Sequence, residues 1–214
     1  MRLVGGSPCG HPLASKYRFC LSGGTGGRGE EFKKSTYLNL GKYETIDQIE
    51  AAKYLANLSY VDKFRIGIWG WSYGGYMSSL CITKGADIFS LAIAVAPVTN
   101  WRYYDNIYTE RYMQTPQENP DGYDLNSPIN HVDSLAGNYF LIHGSADDNV
   151  HVQNTYEMVN ALVKANKQFD FFAYPNKPSW LSPAAANLVQ LADAGADSED
   201  ALYRLAEAVG APKS

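Results

Sequence analysis

The sequence predicts an α/β fold built on a mostly parallel sheet with helices on both faces, and two observations carry that prediction. Short runs of strand-forming residues recur along the chain: "YRFCLS" (17–22), "RIGIWG" (65–70), "LAIAVA" (91–96), "YFLIH" (139–143) and "FDFFAY" (169–174). Several are apolar at consecutive positions, as strands buried on both faces are. Helix-patterned segments lie between them. "TIDQIEAAKYLANL" opens with Thr45 and Gln48 at the spacing of a capping box, and "NTYEMVNALVKANK" predicts one apolar face from Met158, Leu162 and Val163.

Two segments interrupt the alternation. Residues 101–131 form a long excursion rich in aromatic residues, proline and asparagine; α/β folds use such excursions after a strand to contact substrates. From Pro178 onward the chain becomes rich in alanine and poor in strand formers. Ser182 with Pro183 and Gly195 bounds one predicted short helix. Ser198, Leu202, Leu205 and Val209, closed by Gly210 and Pro212, mark a second. The expected division is therefore an α/β domain over 1–177 and a helical extension of unrelated character over 178–214.

Bulk properties remove several function classes. A length of 214 residues with 45% hydrophobic content suits one main globular domain, and a net charge of −4 offers no basic stripe for nucleic acid or anionic lipid. The beginning "MRLVGGSPCGHP" has no signal-peptide core and no apolar run approaches a bilayer span, so no membrane segment is expected and the compartment is left open. Cys9, Cys20 and Cys81 have no metal-like spacing and read as buried or idle thiols; no metal or cofactor is expected.

The strongest chemical signal is "GWSYG": Gly70, Ser72 and Gly74 fit G-x-S-x-G after a strand and before a helix-capable run. In that context a sharp turn exposes the serine, glycines two before and two after it let backbone pass, and the Tyr73 N–H at the helix start can stabilise an oxyanion. A serine hydroxyl needs a base, and the base needs an acid to orient it. "FLIHGSADDNV" supplies the acid, because Asp147 and Asp148 follow a strand and Asp147 comes 75 residues after Ser72. The histidines are His11, His131, His143 and His151; none follows the last predicted strand, and His151 is too close to Asp147 in sequence to serve readily as the base. "GTGGRG" (Gly24, Gly26, Gly29) matches G-x-G-x-x-G. Glu30 and Glu31 directly after it oppose a pyrophosphate, so it reads as a tight surface loop.

Taken together, "GTGGRGEEF", "GWSYGGYM", "AVAPVTNWRYYDNIYTERYM" and "LIHGSADDNVH" resemble the catalytic domain of the dipeptidyl peptidase IV branch of the prolyl oligopeptidase family, from about Gly24 to Lys177. The resemblance implies an α/β-hydrolase fold, truncated at its N-terminal side, and release of dipeptides after proline or alanine from peptide N-termini. It implies Ser72 as nucleophile and Asp147 as acid. Tyr73, Val98, Trp101, Tyr104, Tyr108 and Val150 would line a proline-sized pocket, with Asn149 bonding a substrate carbonyl. In the family the "YPNK" run continues into the triad histidine, whereas here Pro178 and Ser179 follow, and serine cannot take up a proton near neutral pH. The family tyrosine that completes the oxyanion hole and the β-propeller have no counterpart in this sequence. The expectation is an impaired serine-type peptidase acting on peptides with proline or alanine second. The alternative is a catalytically inactive scaffold or chimeric fragment, self-associating through exposed sheet edges.

Overall fold

The computed structural model describes residues 2–5, 16–18 and 22–176, the first two stretches as backbone. Among these residues a six-stranded sheet has the order β2-β1-β3-β4-β5-β6. The strands are β1 (Arg2–Gly5), β2 (Lys16–Arg18), β3 (Ile66–Trp71), β4 (Leu91–Val95), β5 (Asn138–Gly144) and β6 (Asp170–Tyr174). β3 to β6 pair in parallel, with Trp71 opposite Val95, Val95 opposite Ile142 and Gly144 opposite Tyr174. β1 pairs antiparallel with both β2 and β3. Four of the five predicted strands therefore fall within a residue of their expected bounds. The first overlaps β2 at residues 17–18 and Ser22 lies in a loop, residues 19–21 lying outside the described ones.

Parallel neighbours require crossovers, and helices supply them. They are α1 (Glu30–Lys34), α2 (Lys42–Ala56), α3 (Tyr73–Lys84), α4 (Asn106–Met113), α5 (Pro120–Asp124) and α6 (Gln153–Lys164). The side-chain alternation of the strands sorts the core into two clusters. Ile66, Ile68, Ala92, Ala94, Tyr139 and Leu141 join Leu80 and Ile82 of α3 and Met158 and Leu162 of α6 in the larger one. Val95, Phe140 and Ile142 form the smaller, flanked by Trp71, Phe172 and Tyr174.

Two helical expectations are corrected. α2 begins at Lys42, and its cap is made by Glu44, which accepts the Gly41 N–H at 3.1 Å. Thr45 instead donates its hydroxyl to the Gly41 carbonyl, and Gln48 donates to Ser22 Oγ. In α6 Met158 and Leu162 are fully buried but Val163 is 63% exposed; five positions along a helix is a rotation of about 140° from Met158, so the two cannot share a face. The excursion over 101–131 is not a plain loop: α4, α5 and two 3₁₀ turns, Trp101–Tyr103 and Pro128–Ser134, order it. The predicted helices within 178–214, together with Cys9, Cys20, His11 and Ser179, lie outside the described residues.

Candidate active site

In an open parallel sheet the carboxyl ends of the strands share one edge, and loops leaving that edge meet. β3 ends at Trp71 and the chain turns at once into α3, leaving Ser72 between them with φ 55° and ψ −115°. A non-glycine residue with positive φ is strained by about 1–3 kcal/mol, held there by its surroundings. Those surroundings are identifiable. The Ser72 N–H donates to Val95 O at 2.9 Å, hanging the turn on the neighbouring strand, and the Tyr76 N–H returns to Ser72 O at 3.0 Å. Because the Ser72 amide is occupied, the next donor along the turn is the Tyr73 N–H, first in α3 and without an intrahelical acceptor.

Space at the turn comes from glycines, though not from the pair the motif suggests. A Cβ on Gly70 would lie 2.4 Å from the backbone of Gly74, and one on Gly75 would lie 2.8 Å from Val95 O. A Cβ on Gly74 would meet nothing within 4 Å. The expectation that Gly74 lets backbone pass is corrected: Gly75 does this, because α3 turns that position toward the end of β4.

Asp147 leaves the end of β5 on a short loop, 5% exposed. Its Oδ1 accepts the N–H groups of Asn149 and Val150 at 3.0 and 2.9 Å. Its Oδ2 is buried without a hydrogen-bond partner among the described residues, with His143 Nε2 3.3 Å away as a weak neighbour. His143 is one of the four histidines and the last residue of the strand predicted over 139–143. It sits fully buried in β5, with Nε2 2.7 Å from Val150 O and Nδ1 2.7 Å from Thr155 Oγ1. A carbonyl can only accept, so Nε2 carries the proton and Nδ1 accepts from Thr155. Burial pushes the His143 pKa down, favouring the neutral ring. With both nitrogens tied, His143 braces the acid loop and is not available to Ser72. His131 Nε2 is bonded to Leu125 O, and His151 is exposed just before α6.

The end of β6 reaches the same place. Ser145 N–H donates to Tyr174 O at 2.9 Å and Asn176 N–H donates to Ser145 Oγ at 2.9 Å, so the chain leaving β6 is fastened to the loop that carries Asp147.

After β4, Val98 and Trp101 are each 2% exposed, and Val150 is fully buried. The Trp101 ring lies 5.6 Å from Tyr73, 5.8 Å from Tyr108 in stacked geometry and 5.9 Å from Tyr104, centroid to centroid. The structure thus brings Tyr73, Trp101, Tyr104 and Tyr108 into one aromatic cluster beside Ser72. Burial raises the hydroxyl pKa of Tyr104 and pushes that of Tyr108 up to about 12, so both stay protonated. The Tyr104 hydroxyl donates to Asn149 Oδ1 at 2.9 Å, leaving the exposed Asn149 NH₂ to donate elsewhere. Asn154, fully buried in α6, fixes this region: Oδ1 accepts Thr99 N–H at 2.9 Å, and Nδ2 reaches Tyr103 O and His151 O at 3.2 Å each.

No group of three or more His, Cys, Asp or Glu among the described residues is placed to hold a metal, and none of the described helices is long and apolar enough to cross a membrane. The glycine loop 24–29 is exposed apart from Gly24 and precedes a five-residue helix without buried residues.

Comparison with known proteins agrees with this geometry. A probable dipeptidyl-aminopeptidase B from Coccidioides posadasii is 50% identical over 157 residues, which are 72% of this chain and 17% of that protein. The corresponding protein of Aspergillus terreus is likewise 50% identical over 157 residues, again 72% and 17%. Among solved structures, Porphyromonas gingivalis dipeptidyl peptidase 4 superposes with a TM-score of 0.76 at 47% identity, covering 80% of this chain and 25% of that one. A putative dipeptidyl aminopeptidase IV from Bacteroides ovatus gives 0.71 at 38% identity, covering 74% and 22%. The chain therefore spans about a sixth of the length of the curated relatives it matches. The sequence pattern of the prolyl oligopeptidase family matches residues 20–193, and the chain belongs to that family.

Proposed function

We propose that this chain is a serine-type acyl-transfer domain for peptides with proline or alanine in second position, and that its turnover is impaired at the proton-transfer step. The observation that carries the reading is Ser72, a non-glycine residue held at φ 55° at the end of a parallel strand, beside an aromatic slot. In the reaction, Ser72 Oγ attacks the carbonyl carbon of the proline or alanine residue itself while its proton passes to a base. The Tyr73 N–H stabilises the resulting oxyanion, and Asn149 Nδ2 donates to a substrate carbonyl. The carbon–nitrogen bond breaks as the amine takes the proton, and water then hydrolyses the ester. Val98, Trp101, Tyr104, Tyr108, Val150 and the Tyr73 ring hold the proline ring, a flat apolar group suited to aromatic walls.

Asp147 Oδ2 is the acid's free oxygen, the one that would orient a base. In this sequence the position the family gives to that base is Ser179, which cannot take a proton. Loss of a triad member leaves a residual acceleration of about 10³ to 10⁴ over water from the oxyanion donors and binding. A second reading, an inactive scaffold that binds small prolyl ligands, is favoured by the ties on both nitrogens of His143.

A fluorophosphonate probe separates them. The chain is incubated with excess probe and adducts are mapped by mass spectrometry, with Ser72→Ala as control. Slow labelling at Ser72, accelerated by added imidazole acting as the missing base, is the expected result. Absence of any Ser72 adduct, with or without imidazole, leaves only the scaffold.

A further inference from the structure

Tyr73 is the residue next to the nucleophile, and its side chain does not end in solvent. Its hydroxyl donates to Glu44 Oε1 at 2.6 Å, a residue 29 positions away on the first turn of α2 and 7% exposed. The other carboxyl oxygen of Glu44 accepts the Gly41 N–H. Both oxygens are thus used, one capping α2 and one gripping the slot. Among the described residues, the groups that act on Glu44 are hydroxyls and one other acid, namely Tyr73, Tyr76, Tyr108 and Asp47, rather than a cation. A buried acid with no basic partner is costly, and burial raises its pKa. Capping α2 does not explain the cost, since an exposed cap would serve. What the burial does provide is a fixed acceptor behind the Tyr73 ring.

That ring faces Trp101 at 5.6 Å with planes tilted by 40°, and Tyr76 at 5.5 Å edge-on. Van der Waals contact alone leaves a ring free to slide in its plane. A hydroxyl anchored at its far end removes that freedom, which sets the separation between Tyr73 and the Trp101–Tyr108 stack.

We infer that Glu44 is a positioning residue for the slot: through the Tyr73 hydroxyl it fixes the width that selects a five-membered ring beside Ser72. This inference rests on the reading of the slot as a proline site. Glutamine at position 44 can keep the link, because its carbonyl accepts from Gly41 and its NH₂ donates to the Tyr73 oxygen, a hydroxyl being both donor and acceptor.

The test uses the full chain and two non-covalent ligands, an aminoacyl pyrrolidide and the matching piperidide, which differ by one methylene. Binding is followed by ligand-observed NMR, so it does not depend on Ser72 chemistry, and thermal midpoints are recorded in parallel. One methylene in an apolar pocket is worth about tenfold or more in discrimination. The unmodified chain should favour the pyrrolidide by about that factor. Glu44→Gln should keep the preference, while Glu44→Leu and Tyr73→Phe should each lose most of it, and their combination no more than either alone. Tyr73→Phe leaves the α2 cap intact, so it remains decisive if Glu44→Leu does not fold. A purely structural role would weaken both ligands equally along with the thermal midpoint. Retention of the preference in Tyr73→Phe overturns the inference while leaving the proline site standing. Failure of the unmodified chain to bind either ligand overturns the site itself, and the inference with it.

Discussion

At Gly75 an added methyl group would come within 2.8 Å of the Val95 carbonyl oxygen, whereas at Gly74 it would meet nothing within 4 Å. Gly75→Ala and Gly70→Ala should therefore each cost about 1–3 kcal/mol through overpacking against backbone, measured by urea denaturation. Gly74→Ala should be neutral or stabilising by about 0.5–1 kcal/mol, since alanine suits a helix better than glycine. The sequence motif names Gly70 and Gly74. It could not show which glycine faces a neighbouring strand, because β4 is remote in sequence. Glu44 makes a second residue-scale prediction. Its folded pKa is raised, so its contribution to stability is full below the ordinary value of 4.5 and is lost as pH rises through the folded value. Compared with Glu44→Gln at each pH, the unmodified chain should lose relative stability across that window and hold a constant difference above it. A difference that is flat from acid to neutral pH would refute a raised pKa.

Elements were legible where the pattern was local. β3, β4, β5 and β6 appear as apolar runs bounded by turn residues, and each lies within a residue of its expected bounds. The helices of the excursion were less visible because they are short and their apolar faces are formed by partners elsewhere in the chain. Their caps were nevertheless written in the sequence: Asp105 accepts Tyr108 N–H, and Asn119, followed by Pro120 at the first helical position, accepts Gly122 N–H. What no local pattern discloses is the dependence of this excursion on α6. Asn154 holds Thr99, Tyr103 and His151 at once. Asn154→Leu strands the buried Thr99 N–H, at about 1–3 kcal/mol for a buried donor left unpaired, and removes the links to Tyr103 O and His151 O. Stability should fall by at least that amount and Ser72 labelling should slow, while Asn130→Ala, whose amide lies exposed and donates to Asp124 O, should change neither.

Across the molecule, the alternation of strands and helices announced the parallel sheet. The antiparallel β1 was hidden by its brevity, whereas the run predicted over 17–22 overlaps β2 at 17–18. Strands paired on both sides and packed into the core open only with global unfolding. Amides of β4 and β5, between parallel neighbours on either side, should exchange with deuterium most slowly, and those of α1, without buried residues, fastest. The fastening of Asn176 to Ser145 has a consequence at this scale as well. Asp147 lies two residues from one partner of that bond and Ser179 three residues from the other, spans of about 7 and 10 Å at full extension. Acid and base position are thus leashed to a common post. A proton acceptor installed at 179 would search a small volume, at an effective concentration of about millimolar or higher with no imidazole added.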